Sequence, residues 1–141
     1  MRPKLLVMDD NADLARSLRA IGEAAGFETI VVPDTRAAPE SLRDVAPDAI
    51  ILDLMMPDRD GIEVLRDIAQ LNPNAHVLVI SGYGEMWLRM SSQLARSFQL
   101  SHVTTRSKPF RAADIRAFLA EVLALRIAGD GPLEPVAGNA A

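Results

Sequence analysis

The sequence predicts a doubly wound α/β domain: a parallel sheet with helices on both faces. Three observations predict it. Five short apolar runs alternate with five segments of helical periodicity. The run Ala49-Ile50-Ile51-Leu52 is apolar throughout, as in a strand whose two faces are both covered. Four of the runs lead into polar residues, namely Asp9-Asp10, Asp53, Ser81 and Lys108-Pro109. Open parallel sheets build their sites in the crevice beyond the carboxyl ends of the strands.

The elements follow in order. Residues 4–9 read as a buried strand. Residues 12–25 place Leu14, Leu18, Ile21 and Ala25 on one helical face, and Gly26 follows where a left-handed cap would sit. Phe27 to Val32 is the second strand. A weaker helix spans 36–45, with Pro39 in its first turns, where a missing N–H costs least. Ala49 to Asp53 is the third strand. Gly61 to Leu71 is the third helix, with Val64, Leu65, Ile68 and Leu71 facing inward, and Pro73 ends it. His76 to Ser81 is the fourth strand, 85–99 the fourth helix and 102–107 the fifth strand. The last helix, 111–126, carries Ile115, Phe118, Leu119, Val122 and Leu123 at helical spacing. Gly, Pro and Ala then dominate, so the sequence divides into a domain over 1–126 and a flexible tail over 127–141.

The chain has 141 residues, enough for one domain with a real core. It contains no cysteine, which excludes a disulfide framework and a thiolate metal cage. The first apolar run is too short for a signal peptide, and no run approaches the ~20 residues that span a bilayer. The formal charge of −4 speaks against nucleic acid as the main partner. A cytoplasmic protein with no membrane and no nucleic-acid partner is expected.

The polar set can do defined chemistry. Asp9, Asp10 and Asp53 converge if strands one and three are neighbours. Three carboxylates in one crevice repel each other and call for a cation. All-oxygen ligands favour a hard metal such as Mg²⁺. A carboxylate can also accept a phosphoryl group covalently, with catalysis supplied mostly by positioning and charge neutralisation. Lys108 can meet phosphoryl oxygens as a point charge, and Ser81 can donate a hydroxyl hydrogen bond to them. A lone aspartate at a strand end is usually a cap or turn residue. The whole set points to phosphoryl transfer.

These residues resemble the receiver domain of two-component response regulators. The densest match is Pro47-Asp48-Ala49-Ile50-Ile51-Leu52-Asp53-Leu54-Met55-Met56-Pro57-Asp58-Arg59-Asp60-Gly61. Met8-Asp9-Asp10-Asn11, Ile80-Ser81-Gly82 and Lys108-Pro109-Phe110 fall in the right order and spacing, and the likeness covers about residues 3–125. The resemblance implies a flavodoxin-like fold with strand order 2-1-3-4-5. It implies that Asp53 accepts a phosphoryl group from a histidine kinase or phosphotransfer protein. Mg²⁺ would be bound by Asp10, Asp53 and the backbone carbonyl of Met55, with Asp9 helping through water. Ser81 and Lys108 would hold the phosphoryl oxygens, and Pro109 would follow a cis peptide bond. On this basis the chain reads as a stand-alone receiver that signals by a phosphorylation-dependent change to a separate partner. It would catalyse only its own phosphorylation and dephosphorylation.

The chain departs from the pattern at several positions. Receivers usually carry Tyr or Phe three residues before the lysine, and here that residue is Thr105. This keeps open an alternative, a pseudo-receiver that binds proteins without phosphorylation. Met55 cannot orient or activate water. With Tyr83 as a second bulky neighbour it suggests a long-lived phosphorylated state, although Tyr83 can also be read as a plain loop aromatic. Trp87, Met90, Leu94 and Phe98 form an apolar stripe on the fourth helix. The stripe either packs on the sheet or forms a partner surface, because Trp and Met are common in interfaces. A homodimer through helix four, strand five and helix five is one form such a surface would take, with Arg89, Arg96, Arg106 and Arg111 adding polar contacts. His76 and His102 lack any ligand pattern.

Overall fold

The computed structural model describes residues 2–54, 61–82, 85–100 and 102–129; for residues 35, 85–88, 91, 95 and 127–129 it describes the backbone alone. Five parallel strands, β1 (Lys4–Met8), β2 (Glu28–Val32), β3 (Ala49–Asp53), β4 (His76–Ser81) and β5 (Val103–Ser107), form one sheet in the order β2-β1-β3-β4-β5. Five α-helices connect and follow them: α1 (Ala12–Ala24), α2 (Ala38–Val45), α3 (Gly61–Leu71), α4 (Glu85–Ser97) and α5 (Ala112–Gly129). This is the 2-1-3-4-5 flavodoxin-like architecture.

The alternation of side chains along the strands divides the core in two. Leu6, Met8, Ile50, Leu52, Val77 and Val79 point to one face, where Leu42 of α2 and Val64, Leu65 and Ile68 of α3 cover them. Leu5, Val7, Ile51, Leu78 and Ile80 point to the other, beneath Leu18 of α1 and Ile115, Phe118 and Leu119 of α5. The three inner strands are therefore apolar on both faces, and their first polar side chains come only where they leave the sheet. That is the physical reason the site residues stand at strand ends.

Helix ends follow from local chemistry. The Asn11 side chain accepts the Leu14 N–H at 3.0 Å and caps α1. At the other end Gly26 adopts φ +97. Its N–H reaches the Glu23 carbonyl and the Phe27 N–H reaches the Gly22 carbonyl, both at 3.0 Å, which makes a Schellman motif. That bond holds Phe27 out of β2, which begins one residue later than the sequence suggested. The same left-handed turn ends α2 at Ala46 (φ 50) and follows α4 at Gln99 (φ 69), neither of them a glycine. A short 3₁₀ turn, Thr35–Ala37, leads into α2, which starts at Ala38 rather than 36. Residues 127–129, grouped with the tail by composition, are helical, so α5 runs three residues past the expected boundary at 126. The expected flexible tail from 130 onward lies outside the described residues. No helix among the described residues is long and apolar enough to cross a membrane.

Gly22 sits where α1 crosses β1 and β2. A Cβ there would run into the Thr29 hydroxyl and come within 2.8 Å of Leu5 Cδ2. Gly22→Ala is therefore expected to destabilise the fold by about 2 kcal/mol, as overpacking does, despite alanine's better helix propensity. Urea unfolding checks this, and an unchanged midpoint would show that α1 can shift without cost.

Candidate functional site

Strand order builds the site. β1 and β3 are neighbours, with Met8 beside Leu52, so Asp9 and Asp53 leave the sheet side by side. β4 lies on the other side of β3, and Ser81 is its last residue. Ser81 in turn pairs in register with Ser107 of β5, and its carbonyl accepts the Lys108 N–H at 2.8 Å. Four chain segments thus bring Asp9, Asp10, Asp53, Ser81 and Lys108 to the carboxyl end of the sheet.

The carboxylates of Asp9, Asp10 and Asp53 each offer an oxygen, and the three oxygens lie within 4.8 Å of one another. Asp9 and Asp53 are buried, at 1% and 2% exposure, while Asp10 is open to solvent. The Lys108 ammonium donates to Asp53 Oδ2 at 3.0 Å. Its side chain keeps 29% exposure against 3% for that of Asp53, so the cation reaches the buried acid from the solvent side. Ser81 is fully buried.

Asp9 is the strained member. Its Oδ1 accepts the Asn11 N–H at 2.9 Å, but Oδ2 is buried without a hydrogen-bond partner. Burial is the main reason its carboxyl is pushed up to about 6, with the Asp53 charge adding to it. The Asn11 N–H and, more weakly, Lys108 pull the other way. An orphaned buried oxygen beside two further carboxylates is the donor set a hard divalent cation requires, so the residues present fit Mg²⁺.

The remaining sequence candidates fall as follows. Thr105 is half-buried on β5. The Lys108–Pro109 peptide bond is cis. Met55, Tyr83 and the Trp87 side chain lie outside the described residues. The other members of the apolar stripe differ in exposure. Phe98 packs against the sheet core, Leu94 is half-buried, and Met90 is 43% exposed. Phe98 falls just past the end of α4 at Ser97. His76 and His102 stack at 4.1 Å between ring centroids, beside the amino ends of β4 and β5, far from the aspartates. Asn11 was missed as a site residue: its N–H fixes Asp9 and its side chain caps α1. Its signals in the sequence were its place before a helical pattern and at the end of the Met8-Asp9-Asp10-Asn11 motif.

Comparison with known proteins adds the family. The response regulator receiver domain model matches residues 5–120. Sporulation initiation phosphotransferase F of Bacillus subtilis is 27% identical over 126 residues, covering 89% of this chain and 98% of that protein. Photosynthetic apparatus regulatory protein RegA of Rhodobacter capsulatus is 32% identical over 133 residues, covering 94% of this chain and 69% of its own length. A crystal structure of a response regulator from Colwellia psychrerythraea matches with a TM-score of 0.74 and 34% identity, over 89% of this chain and 99% of that one. The chain also matches DNA-binding response regulators, of which it spans 29%. With the family match reaching from the first strand into the last helix, the chain belongs to the response regulator receiver domains.

Proposed function

We propose that this receiver accepts a phosphoryl group on Asp53 from the phosphohistidine of a sensor kinase or phosphotransfer protein, in a Mg²⁺-dependent reaction. The observation that carries the reading is the Lys108 ammonium 3.0 Å from an Asp53 oxygen, in a site where three carboxylate oxygens lie within 4.8 Å. A carboxylate oxygen of Asp53 attacks phosphorus. The new P–O bond forms as the P–N bond breaks, and the histidine nitrogen leaves with its electron pair. Lys108 neutralises charge on the transferring group, and the Ser81 hydroxyl donates to one of its oxygens. Asp10 and Asp53 would hold Mg²⁺ with the Met55 carbonyl, Asp9 would help through water, and the ion would neutralise the charge of acceptor and donor together.

On this reading the protein works in the cytoplasm and is not an enzyme toward a separate substrate. Its output passes to a separate protein partner, in keeping with the phosphotransferase name of the Bacillus relative. Met55 and Tyr83 are proposed to slow water attack on the acyl phosphate and lengthen the signal.

The test is intact mass after incubation with acetyl phosphate, with and without Mg²⁺, beside Asp53→Asn. A single Mg²⁺-dependent adduct of one phosphoryl group, absent from the variant, is the expected result. Its decay over hours rather than seconds would support the Met55–Tyr83 shield. No adduct from either acetyl phosphate or a phosphorylated kinase would leave the phosphorylation-independent binding module.

A further inference from the structure

The chain has two histidines, and the fold puts them side by side. β4 and β5 pair with Val77 opposite Val103, so His76 and His102 stand opposite each other one residue earlier, at the amino end of the sheet. Side chains alternate along a strand, so both lie on the face that carries Leu78 and Ile80 and that α5 covers. Their rings stack with centroids 4.1 Å apart and planes 20° from parallel. A cavity of about 210 Å³ opens there, walled by both histidines, by Thr104 of β5 and by Phe118 and Glu121 of α5. We propose that His76, His102 and Glu121 bind a divalent transition-metal ion, with Zn²⁺ as the representative, at this end of the sheet.

Donor chemistry carries it. Two imidazole nitrogens and a carboxylate oxygen suit zinc, nickel or copper, and do not suit Mg²⁺, which prefers oxygen throughout. Three protein ligands would leave a fourth position to water, as an open zinc site does. The groups are uncommitted: among the described residues neither ring nor the Glu121 carboxylate makes a hydrogen bond or an ion pair. Burial, and then the neighbouring His102 ring, lower the pKa of His76. It is therefore predominantly neutral at pH 7 and offers a lone pair without first releasing a proton. The charges of Glu121 and Asp48 oppose that shift, which places negative potential where a cation would sit.

Geometry sets what must move. Two imidazoles bound to one tetrahedral ion through bonds of about 2.1 Å have ring centroids about 5 Å apart. The stacked pair already stands close to that spacing. Near-parallel rings aim their lone pairs past one another, so one ring must turn out of the stack. His102 is the exposed ring and turns into solvent at little cost. Among the described residues, only the three aspartates have three ligand atoms already gathered within 4.8 Å, so the ion itself would draw His102 and Glu121 together. It would tie β4, β5 and α5 to one another at a distance from the aspartates of about 16 Å, the length of β4 from His76 to Ser81.

The experiment is an NMR titration of the full, tag-free ¹⁵N-labelled chain with Zn²⁺ at pH 7.5, in a large excess of Mg²⁺ that occupies the aspartates. With two histidines in the chain, the imidazole ring-nitrogen signals are unambiguous. Both sets are expected to move together and to saturate at one equivalent of Zn²⁺. His102→Gln should weaken binding at least tenfold, and Glu121→Gln severalfold. Should His102→Gln fail to fold, Glu121→Gln carries the test, because its position on α5 is exposed. Still signals from both rings, movement of one ring alone, or shifts centred on the aspartates would overturn the proposal. So would an affinity indifferent to both substitutions. No phosphodonor enters the titration, so its failure would leave the Asp53 reading untouched.

Discussion

Lys108→Met is expected to lower the unfolding free energy of the Mg²⁺-free protein by about 2 kcal/mol, and to slow formation of the Asp53 adduct sharply. Asp53 is buried and sits beside the equally buried Asp9, and the Lys108 cation paired with it helps make its charge tolerable. Breaking a fully buried ion pair costs about 3–5 kcal/mol. The partial exposure of the lysine brings water to the site and reduces that figure. Methionine keeps most of the apolar stem, so lost packing contributes little. Two controls separate charge from shape. Adding Asp53→Asn to Lys108→Met should restore most of the lost stability, because no buried charge at position 53 is then left uncompensated. Saturating Mg²⁺ should also narrow the gap between Lys108→Met and wild type, since binding to the folded state alone at a hundred times its dissociation constant contributes about 2.7 kcal/mol. Urea unfolding with and without Mg²⁺ measures all four states. If Lys108→Met alone left stability unchanged, the 3.0 Å pair would be a contact without energetic weight.

How much of this was legible in the sequence can be followed residue by residue. The strands were legible because burial on both faces demands unbroken apolar runs such as Ile50-Ile51-Leu52, and a polar residue then marks the exit from the sheet. The convergence of Asp9, Asp10 and Asp53 was conditional on β1 and β3 being adjacent, a relation that no local pattern states. Its support came from family resemblance, and the register of Met8 with Leu52 supplies it directly. Helix ends were harder. Gly26 announced its left-handed turn, but Ala46 and Gln99 adopt the same conformation under tertiary constraint, without the residue that normally signals it. The α4 stripe could be read either way because spacing identifies a shared helical side but not what lies against it. Phe98 meets the sheet and Met90 meets solvent. The pairing of His76 with His102 was illegible for a similar reason, since they lie far apart in the sequence and only the β4–β5 register brings them together.

Asp9→Asn is expected to stabilise the Mg²⁺-free protein at neutral pH while weakening Mg²⁺ binding. The sign follows from the raised carboxyl, about 6 in the fold against an ordinary 3.8. A folded state that holds the proton more tightly than the unfolded chain loses stability as pH rises through that window. Below pH 4 both states are protonated and Asp9 costs nothing. Above about pH 6 the fold must carry a buried carboxylate whose Oδ2 has no partner. The displacement corresponds to at most about 3 kcal/mol. Asparagine keeps an oxygen to accept the Asn11 N–H and removes the charge, so the variant should exceed wild type by up to that amount at pH 8 and converge with it near pH 4. Mg²⁺ should reverse the order, because the orphaned oxygen is an asset only when a cation is bound. Wild-type affinity for Mg²⁺ should also rise between pH 5 and 7, as Asp9 gives up its proton, with a shallower rise in the variant. Denaturant unfolding across pH, with and without the ion, tests each step. A difference between wild type and variant that stayed flat from pH 4 to 8 would mean that the burial of Asp9 carries no electrostatic cost. The cluster would then lose its physical reason for binding a metal: carboxylates held together at a cost to the fold, and released from that cost by a cation.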